Sequence, residues 1–372
     1  MPLSLQAHLT GPGPKRMLAL DGGGIRGAMT VGFLEKIEKI LRERHGNDPD
    51  FRLCHYFDLI GGTSTGAIIA TMLAMGKSAA EIREMYLNLG GLIFNQRRGL
   101  LGRLSAKFES HDLEASLKEH LGNRTLSSED LCTGLCIVTK RADTGSTWPL
   151  INHPDGKYFD SNRGILLRKA VRASTAAPTY FQPETFDVGG GEIGAFVDGG
   201  VSMHNNPGLL LFLVATLKGF PFHWETGADQ LLLVSVGTGT ARTRLQPNEV
   251  TDNKLWNWAS EVPDLLMRDA SHLNHILLQY LSDSPTRTTI DSEIGNMKGD
   301  LIGKSAALHY LRYNVRMETN ELNDLGFTDL DLKNLIEMSN ADNRELLAEI
   351  GDKAAARLVK ESHFPAGFDR LA

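Results

Sequence analysis

Short apolar runs that end in glycine-rich turns recur along this chain, and each is followed by a segment of helical periodicity. Residues 17–20 precede the turn Asp21-Gly22-Gly23-Gly24, and residues 57–60 precede a turn that begins at Gly61. Apolar runs without alternation indicate strands covered on both faces. Strands that alternate with helices are typical of α/β proteins. We therefore predict an α/β fold with a largely parallel central sheet flanked by helices.

The pattern divides the chain into three parts. Residues 1–15 contain two Gly-Pro pairs and are interpreted as a flexible leader. Residues 16–317 are expected to form one catalytic domain, because no long linker interrupts them. Residues 318–372 become charged and helical, and we expect a C-terminal helical extension packed on the same domain. The later predicted elements are strands at 135–139, 195–197 and 231–236 and helices at 165–173 and 207–217.

Composition excludes several classes of protein. With 39 Lys and Arg against 45 Asp and Glu, the formal charge is −6, which does not suit a partner that is a nucleic acid polymer. Cys54, Cys132 and Cys136 are too few for a disulfide framework, and no second pair completes a zinc site. The chain has neither a secretory signal nor an apolar run of the ~18 residues that a membrane span needs. We expect a soluble, cytoplasmic protein whose contact with a membrane is peripheral.

The pentapeptide Gly62-Thr63-Ser64-Thr65-Gly66 lies between a predicted strand and a predicted buried helix. This is the context of a nucleophile elbow, a sharp turn that exposes a serine hydroxyl. Gly62 and Gly66 would let the strand and the helix approach closely, and the helix would direct its positive end at Ser64. The alternative is a turn in which Ser64 or Thr65 only caps the helix.

Three consecutive glycines, Gly22, Gly23 and Gly24, follow the first strand and precede a helix. Their backbone N–H groups can bind an anion, either a phosphate or the oxyanion of a tetrahedral intermediate. Arg26 adds a positive charge beside this loop.

The same loop also satisfies the G-x-G-x-x-G pattern through Gly22, Gly24 and Gly27. A dinucleotide-binding oxidoreductase is therefore an alternative. Its ribose-binding acid would be Asp48 or Asp50, but no apolar strand leads into either residue.

The tripeptide Asp198-Gly199-Gly200 ends another predicted strand. Alone it is a common turn, but Asp198 would serve as a base if it reached Ser64. Turns that close strands of one parallel sheet share the edge where α/β proteins bind ligands.

Taken together, these motifs resemble those of the patatin-like phospholipases, which are lipid acyl hydrolases. The resemblance rests on Asp21–Gly27, Gly62–Gly66 and Asp198–Gly200, in family order, and on the small-residue block Ala173–Pro178. It implies a three-layer patatin-like fold, and a Ser-Asp dyad that cleaves fatty acyl esters of glycerophospholipids without a metal or an organic cofactor. The roles it implies are Ser64 as nucleophile, Asp198 as general base and acid, Gly22, Gly23 and Gly24 as oxyanion hole, and Arg26, Gly27, Gly62, Gly66, Gly199 and Gly200 as supporting residues.

Two alternatives remain at this point. A Ser-His-Asp triad would need a histidine such as His204, but His204, His153 and His223 lie in no histidine motif. A non-catalytic lipid-binding module on the same fold is the other alternative.

The resemblance also suggests partners. Some bacterial relatives are effectors of anti-phage systems that a cyclic dinucleotide activates, and the part of the chain from residues 310–315 onward would house such a sensor. The sequence also leaves open a homo-oligomer. Residues 90–104 place apolar side chains around Arg97, Arg98 and Arg103, which predicts a lid that touches anionic lipid at the inner membrane face.

Overall fold

The structure, a computed structural model, describes residues 3–93, 106–178, 181–241, 255–290, 295–297 and 299–369. Within these residues nine strands form one sheet, and helices cover both of its faces. This confirms the predicted α/β class with a sheet between helical layers. The strands are β1 (Lys15–Leu20), β2 (Leu59–Thr63), β3 (Gly134–Arg141), β4 (Ser146–Ile151), β5 (Glu184–Asp187), β6 (Ile193–Asp198), β7 (Leu231–Val236), β8 (Ser282–Asp283) and β9 (Leu308–Tyr313).

Helices connect most of these strands, and short 3-10 turns at Gly24–Arg26 and Gly199–Val201 follow β1 and β6. The α-helices are α1 (Leu5–Thr10), α2 (Gly27–Arg44), α3 (Leu53–Tyr56), α4 (Thr65–Ala74), α5 (Ala79–Ile93), α6 (Ala106–Leu121), α7 (Phe159–Asn162), α8 (Leu167–Ser174), α9 (Gly208–Thr216), α10 (Leu255–Leu281), α11 (Thr319–Asp324), α12 (Leu332–Leu335) and α13 (Arg344–Leu358).

The sheet has the order β5-β6-β3-β2-β1-β7-β9-β8, and β4 pairs with β3. All pairs from β3 to β8 along this order are parallel, so β1 and β2 end at the same edge. Side chains of β1 alternate between two apolar clusters: Leu18 and Leu20 enter one, Met17 and Ala19 the other. Burial on both faces explains why the strand sequences are continuously apolar.

The strand that carries Asp198 reaches this edge from the opposite direction. β6 runs antiparallel to β3, with Asp198 opposite Thr139, so the expectation that all three turns close parallel strands is wrong for β6. β4 occupies one side of β3 over residues 136–141. β2 occupies the other side only as far as Val138, which pairs with Thr63. β6 therefore pairs with residues 139–141 of β3 on the side where β2 stops, and the C-terminal ends of β2 and β6 meet.

The described residues before β1 include helix α1, which packs against the sheet. Ser4 caps α1, which buries His8 and Leu9. The His8 ring contacts the buried Asp58 carboxylate at 3.0 Å, and Lys15 Nζ donates a hydrogen bond to the His8 carbonyl. Burial of Leu9 in the second apolar cluster and these polar contacts hold the segment on the sheet.

In the C-terminal segment, helix α13 packs along helix α2. The two helices approach closely because both lack a side chain at the contact: a Cβ on Gly351 would lie 2.5 Å from the Met29 carbonyl oxygen, and one on Gly32 would lie 2.8 Å from the Asp352 nitrogen. Near the start of α2, the Ile25 N–H donates to the Met338 carbonyl at 2.9 Å. The C-terminal segment thus touches the glycine loop.

Residues 310–315, the first part of the predicted sensor region, lie largely in the interior strand β9. Tyr310, Leu311 and Tyr313 of β9 are buried between the helical layers, so they are not available to a ligand. Of the predicted lid, residues 94–104 lie outside the described residues. Among the residues that the structure does describe, no helix combines the length and the apolar character that crossing a bilayer requires.

Candidate active site

Ser64 occupies the turn between β2 and α4 and has a backbone φ of 54° and ψ of −123°. A positive φ is strained for a residue with a Cβ and is typical of functional turns. Glycines make the turn possible: a Cβ on Gly62 would lie 2.1 Å from the Gly66 carbonyl oxygen, and one on Gly66 would lie 2.2 Å from the Leu20 carbonyl oxygen. The partly exposed Ser64 therefore stands at the N-terminus of α4, as the pentapeptide predicts.

Asp198 lies at the end of β6 and is 5% exposed. Burial raises its pKa to about 6, against the opposing effect of hydrogen bonds from the Ser64 side chain and the Gly200 backbone. The Gly200 N–H donates to Asp198 Oδ1 at 2.6 Å. The structure thus brings together a hydroxyl and a carboxylate that are 134 positions apart in the sequence (198 − 64). Its elevated pKa makes this carboxylate a better base near neutral pH than a solvated aspartate.

The two glycines after Asp198 are required by close packing. A Cβ on Gly199 would lie 2.4 Å from the Val138 carbonyl oxygen, and one on Gly200 would lie 2.9 Å from Asn205 Oδ1. The turn can therefore lie against the end of β3 and direct the Asp198 side chain at Ser64.

The glycine loop after β1 lies against Ser64, since a Cβ on Gly22 would lie 3.2 Å from the Ser64 Cβ. The Gly22 N–H, however, donates to the Asn205 carbonyl at 3.0 Å. It is therefore not available to an oxyanion, and Gly22 differs here from its predicted role. Gly23 and Gly24 are the remaining predicted donors, and Gly24 adopts the left-handed φ of 58° that glycine favours.

Asp21 anchors this loop and does not face a ligand. Arg312 of β9 donates to both of its carboxylate oxygens, at 2.9 and 2.6 Å, and also to Ser235 Oγ at 2.7 Å. Burial alone would lower the pKa of Arg312, but the Asp21 carboxylate outweighs this and holds that pKa above its ordinary value. Arg26 lies close enough for its charge to act on Asp21 and on Tyr86. The predicted supporting charge of Arg26 is therefore beside the loop.

Two side chains at the site were not singled out by the sequence. Ser174 lies in the block Ala173–Pro178; its Oγ donates to the Val138 carbonyl and accepts the Ser64 N–H at 2.9 Å. In the same block, the Ala176 carbonyl accepts the Asp198 N–H at 2.9 Å. The block thus binds the backbone N–H groups of both Ser64 and Asp198. Tyr86 of α5 contacts the Gly24 carbonyl and the Thr65 hydroxyl, and no motif marks it.

The histidine alternative has no support in this geometry. The Ser64 side chain hydrogen-bonds to the Asp198 carboxylate, so the two residues are in contact without an imidazole to connect them. His204 contributes its backbone carbonyl, which accepts the Thr63 hydroxyl at 2.7 Å. The His153 ring packs edge-on against Phe222, away from the motif turns. Within the described residues, no group of His, Cys, Asp and Glu is arranged to hold a metal ion.

The dinucleotide alternative fails on distance. Asp48 and Asp50 follow α2 in an exposed turn. α2 begins at the glycine loop and has 18 residues, so these acids lie about 27 Å away along the helix axis. A ribose bound at the loop would not reach them.

Parts of this chain are similar in sequence to known proteins. Residues 18–212 match the patatin-like phospholipases. The chain belongs to the patatin-like phospholipase family. A cGAMP-activated phospholipase of Escherichia coli is 30% identical over 280 residues, covering 72% of this chain and 76% of that protein. One of Vibrio cholerae is 32% identical over 250 residues, covering 63% and 67%, respectively. Patatin-17 of Solanum cardiophyllum is 27% identical over 372 residues, covering 93% of this chain and 85% of that protein.

Family membership confirms the resemblance that the motifs carry and makes the chain a carboxylic ester hydrolase that acts on lipid acyl groups. The oxidoreductase and the non-catalytic lipid-binding module are set aside by the same finding.

Proposed function

We propose that this chain is a phospholipase A-type serine hydrolase that cleaves fatty acyl esters of glycerophospholipids through a Ser64–Asp198 dyad. The observation that carries the proposal is the contact between the strained Ser64 at the start of α4 and the buried Asp198 carboxylate. A serine held in this turn is presented to an ester, and a carboxylate with a pKa of about 6 is mostly ionised at neutral pH.

In the first half of the reaction, Ser64 Oγ attacks the ester carbonyl while Asp198 takes the hydroxyl proton. The N–H groups of Gly23 and Gly24 stabilise the negative charge that develops on the carbonyl oxygen. The intermediate then collapses, the bond to the glycerol oxygen breaks, and Asp198 returns the proton to that oxygen. The lysophospholipid leaves and the acyl group stays on Ser64. In the second half, Asp198 takes a proton from a water molecule, which attacks the acyl ester carbonyl. The bond to Ser64 Oγ then breaks, Asp198 returns the proton to Ser64 Oγ, and the fatty acid leaves.

A fluorophosphonate probe tests the nucleophile, because it reacts covalently with an activated serine. We expect labelling of the wild-type chain and its loss in Ser64→Ala and in Asp198→Asn. The exposed residues Ser146 and Asp160 supply controls, and Ser146→Ala and Asp160→Asn should label normally. Release of fatty acid from phosphatidylethanolamine and phosphatidylglycerol vesicles should follow the same pattern. Labelling that persists in Ser64→Ala would overturn the dyad.

We extend the proposal to a peripheral contact with the inner membrane face. Val201 and Met203 support it: they follow the Asp198 turn directly and are apolar yet 44% and 63% exposed. Met203→Ser should lower the fraction of the protein that sediments with anionic vesicles. Ile193→Ser is the matched control, because Ile193 is 61% exposed at the other end of β6. Equal sedimentation of the Met203 variant and the wild type would contradict the contact.

We also propose activation by a cyclic dinucleotide and a role as an anti-phage effector. The support is that two relatives are cGAMP-activated phospholipases and that the C-terminal segment touches the glycine loop through Met338. A segment that contacts the oxyanion loop can alter its geometry when a ligand binds elsewhere on it. A panel of cyclic dinucleotides that includes cGAMP should raise the rate of fatty acid release by the purified chain. An unchanged rate across the panel would contradict the activation.

A further inference from the structure

The hydroxyl of Tyr86 joins the glycine loop to the serine turn. Its ring is 5% exposed on α5. The hydroxyl donates to the Gly24 carbonyl and lies 2.7 Å from Thr65 Oγ1. A tyrosine has one hydroxyl hydrogen, and the Gly24 carbonyl can only accept it, so Thr65 must donate to Tyr86. A single buried oxygen thus links the oxyanion loop to the residue that follows Ser64.

The link is closely packed. A Cβ on Gly27 would lie 2.7 Å from both Thr65 Oγ1 and the Tyr86 hydroxyl oxygen, so only a glycine fits there. Burial raises the pKa of Tyr86 well above its ordinary value, and the hydroxyl remains protonated and able to donate over the working pH range.

The carbonyl that Tyr86 binds belongs to the Gly24–Ile25 peptide unit. The N–H of the same unit donates to the Met338 carbonyl at 2.9 Å. Because a peptide unit is planar, these two contacts fix its orientation. They therefore also place the Gly24 α-carbon, which the adjoining Gly23–Gly24 unit shares and to which that unit is joined at the left-handed φ of 58°. The Gly23–Gly24 unit carries the Gly24 N–H, the proposed oxyanion donor, and it is held in turn by the Arg26 N–H, which donates to the Gly23 carbonyl at 3.2 Å.

We propose that Tyr86 is a positioning residue for the oxyanion hole, which it holds in register with Ser64 through Gly24 and Thr65. The inference rests on the proposed hydrolase mechanism, but it concerns only the transition state. Loss of an entire oxyanion-hole donor lowers kcat about 100- to 1,000-fold. Loss of the residue that orients one donor should lower kcat less, by about 10-fold, since the donor is still present.

The test compares Tyr86→Phe with Tyr158→Phe, an exposed tyrosine, in the full chain. Tyr86→Phe removes only the hydroxyl, and we expect kcat to fall about 10-fold with KM unchanged within twofold. The affinity of a trifluoromethyl ketone, which forms an oxyanion adduct on the serine, should fall in parallel with kcat/KM. The acid limb of the pH–rate profile should remain in place because Asp198 is untouched. Tyr158→Phe should match the wild type.

Thr65 supplies the second arm and keeps the test informative if Tyr86→Phe fails to fold. Thr65→Val removes the other hydrogen bond and should lower kcat by a similar factor, whereas Thr65→Ser retains the hydroxyl and should restore it. An unchanged kcat in Tyr86→Phe or Thr65→Val, a rise in KM alone, or a shifted acid limb would overturn the positioning role. Absence of probe labelling at Ser64 in the wild type would instead overturn the hydrolase mechanism, so the two failures are distinguishable.

Discussion

At the scale of single residues, the properties that suit Asp198 to catalysis also cost stability. Its carboxylate is buried at the end of β6, and burial is the main cause of its raised pKa of about 6. Within the described part of the chain, the Ser64 side chain and the Gly200 N–H donate to this carboxylate, which is less well solvated there than in water. Acceptance of a proton from Ser64 relieves that cost during the reaction. The same cost must appear in the free energy of unfolding.

We therefore predict that Asp198→Asn abolishes activity and stabilises the fold at high pH. Because the folded pKa of about 6 lies above the unfolded value of 3.8, the stabilising contribution of this group is fully present below pH 3.8 and is lost as the pH rises through 6. The variant lacks the charge, so at pH 8 its free energy of unfolding should exceed that of the wild type by up to about 3 kcal/mol. At pH 5 the difference should fall to about half. Urea unfolding at both pH values measures it.

Asp160→Asn is the control for this prediction, since Asp160 is exposed and its variant should have the same urea midpoint as the wild type. A difference between Asp198→Asn and the wild type that stays constant from pH 5 to pH 8 would mean that the Asp198 pKa is not raised. The same pKa predicts that kcat/KM of the wild type falls about 10-fold per pH unit below pH 6.

At the scale of elements, the sequence predicts the structural features that depend on residues close together along the chain. The turn around Ser64 follows from Gly62 and Gly66, and the loop after β1 follows from its glycines, because these residues make the turns sterically possible. The direction of β6 does not follow, since its pairing with β3 depends on where β2 stops. The loss of the Gly22 N–H to Asn205 also depends on contacts between distant segments. Tyr86 and Ser174 escape sequence analysis for the same reason.

The contact between α2 and α13 gives a prediction at this scale. In most helix interiors Gly→Ala stabilises by about 1 kcal/mol. At Gly351 the new Cβ would lie 2.5 Å from the Met29 carbonyl oxygen of α2, which is backbone and cannot rotate away. The helices must separate, and overpacking of this kind costs about 1–3 kcal/mol. Because the propensity gain offsets part of this cost, we expect Gly351→Ala to lower the free energy of unfolding by about 1 kcal/mol, as measured by urea unfolding.

Gly367→Ala is the matched control in the same C-terminal segment, because a Cβ there meets no atom within 4 Å. It should leave stability unchanged within about 0.5 kcal/mol. If Gly351→Ala were as stable as this control, the close approach of the two helices would be absent in solution.

At the scale of the whole molecule, the site is assembled from segments that span most of the chain. The first glycine loop is anchored by Arg312, 291 positions from Asp21 along the sequence. β7 lies between β1 and β9 in the sheet, so this ion pair spans β7 and joins the two strands that flank it. The geometry of the loop therefore depends on the packing of the C-terminal third of the chain.

We predict that Arg312→Met is strongly destabilising, because it leaves the buried Asp21 carboxylate without its bidentate partner. Removal of one member of a buried ion pair costs about 3–5 kcal/mol. The double variant Asp21→Asn/Arg312→Met removes the stranded charge and should recover part of that loss. Arg316→Met is the control: Arg316 is 61% exposed and pairs with Glu321, so its loss should cost less than about 1 kcal/mol. Equal effects of the two single variants on the free energy of unfolding would show that the Asp21–Arg312 pair does not hold the loop. A large loss of stability in Arg312→Met that is reduced in the double variant would show that it does. If Arg312→Met also slows probe labelling of Ser64, the far end of the sheet is linked to the reactivity of the serine.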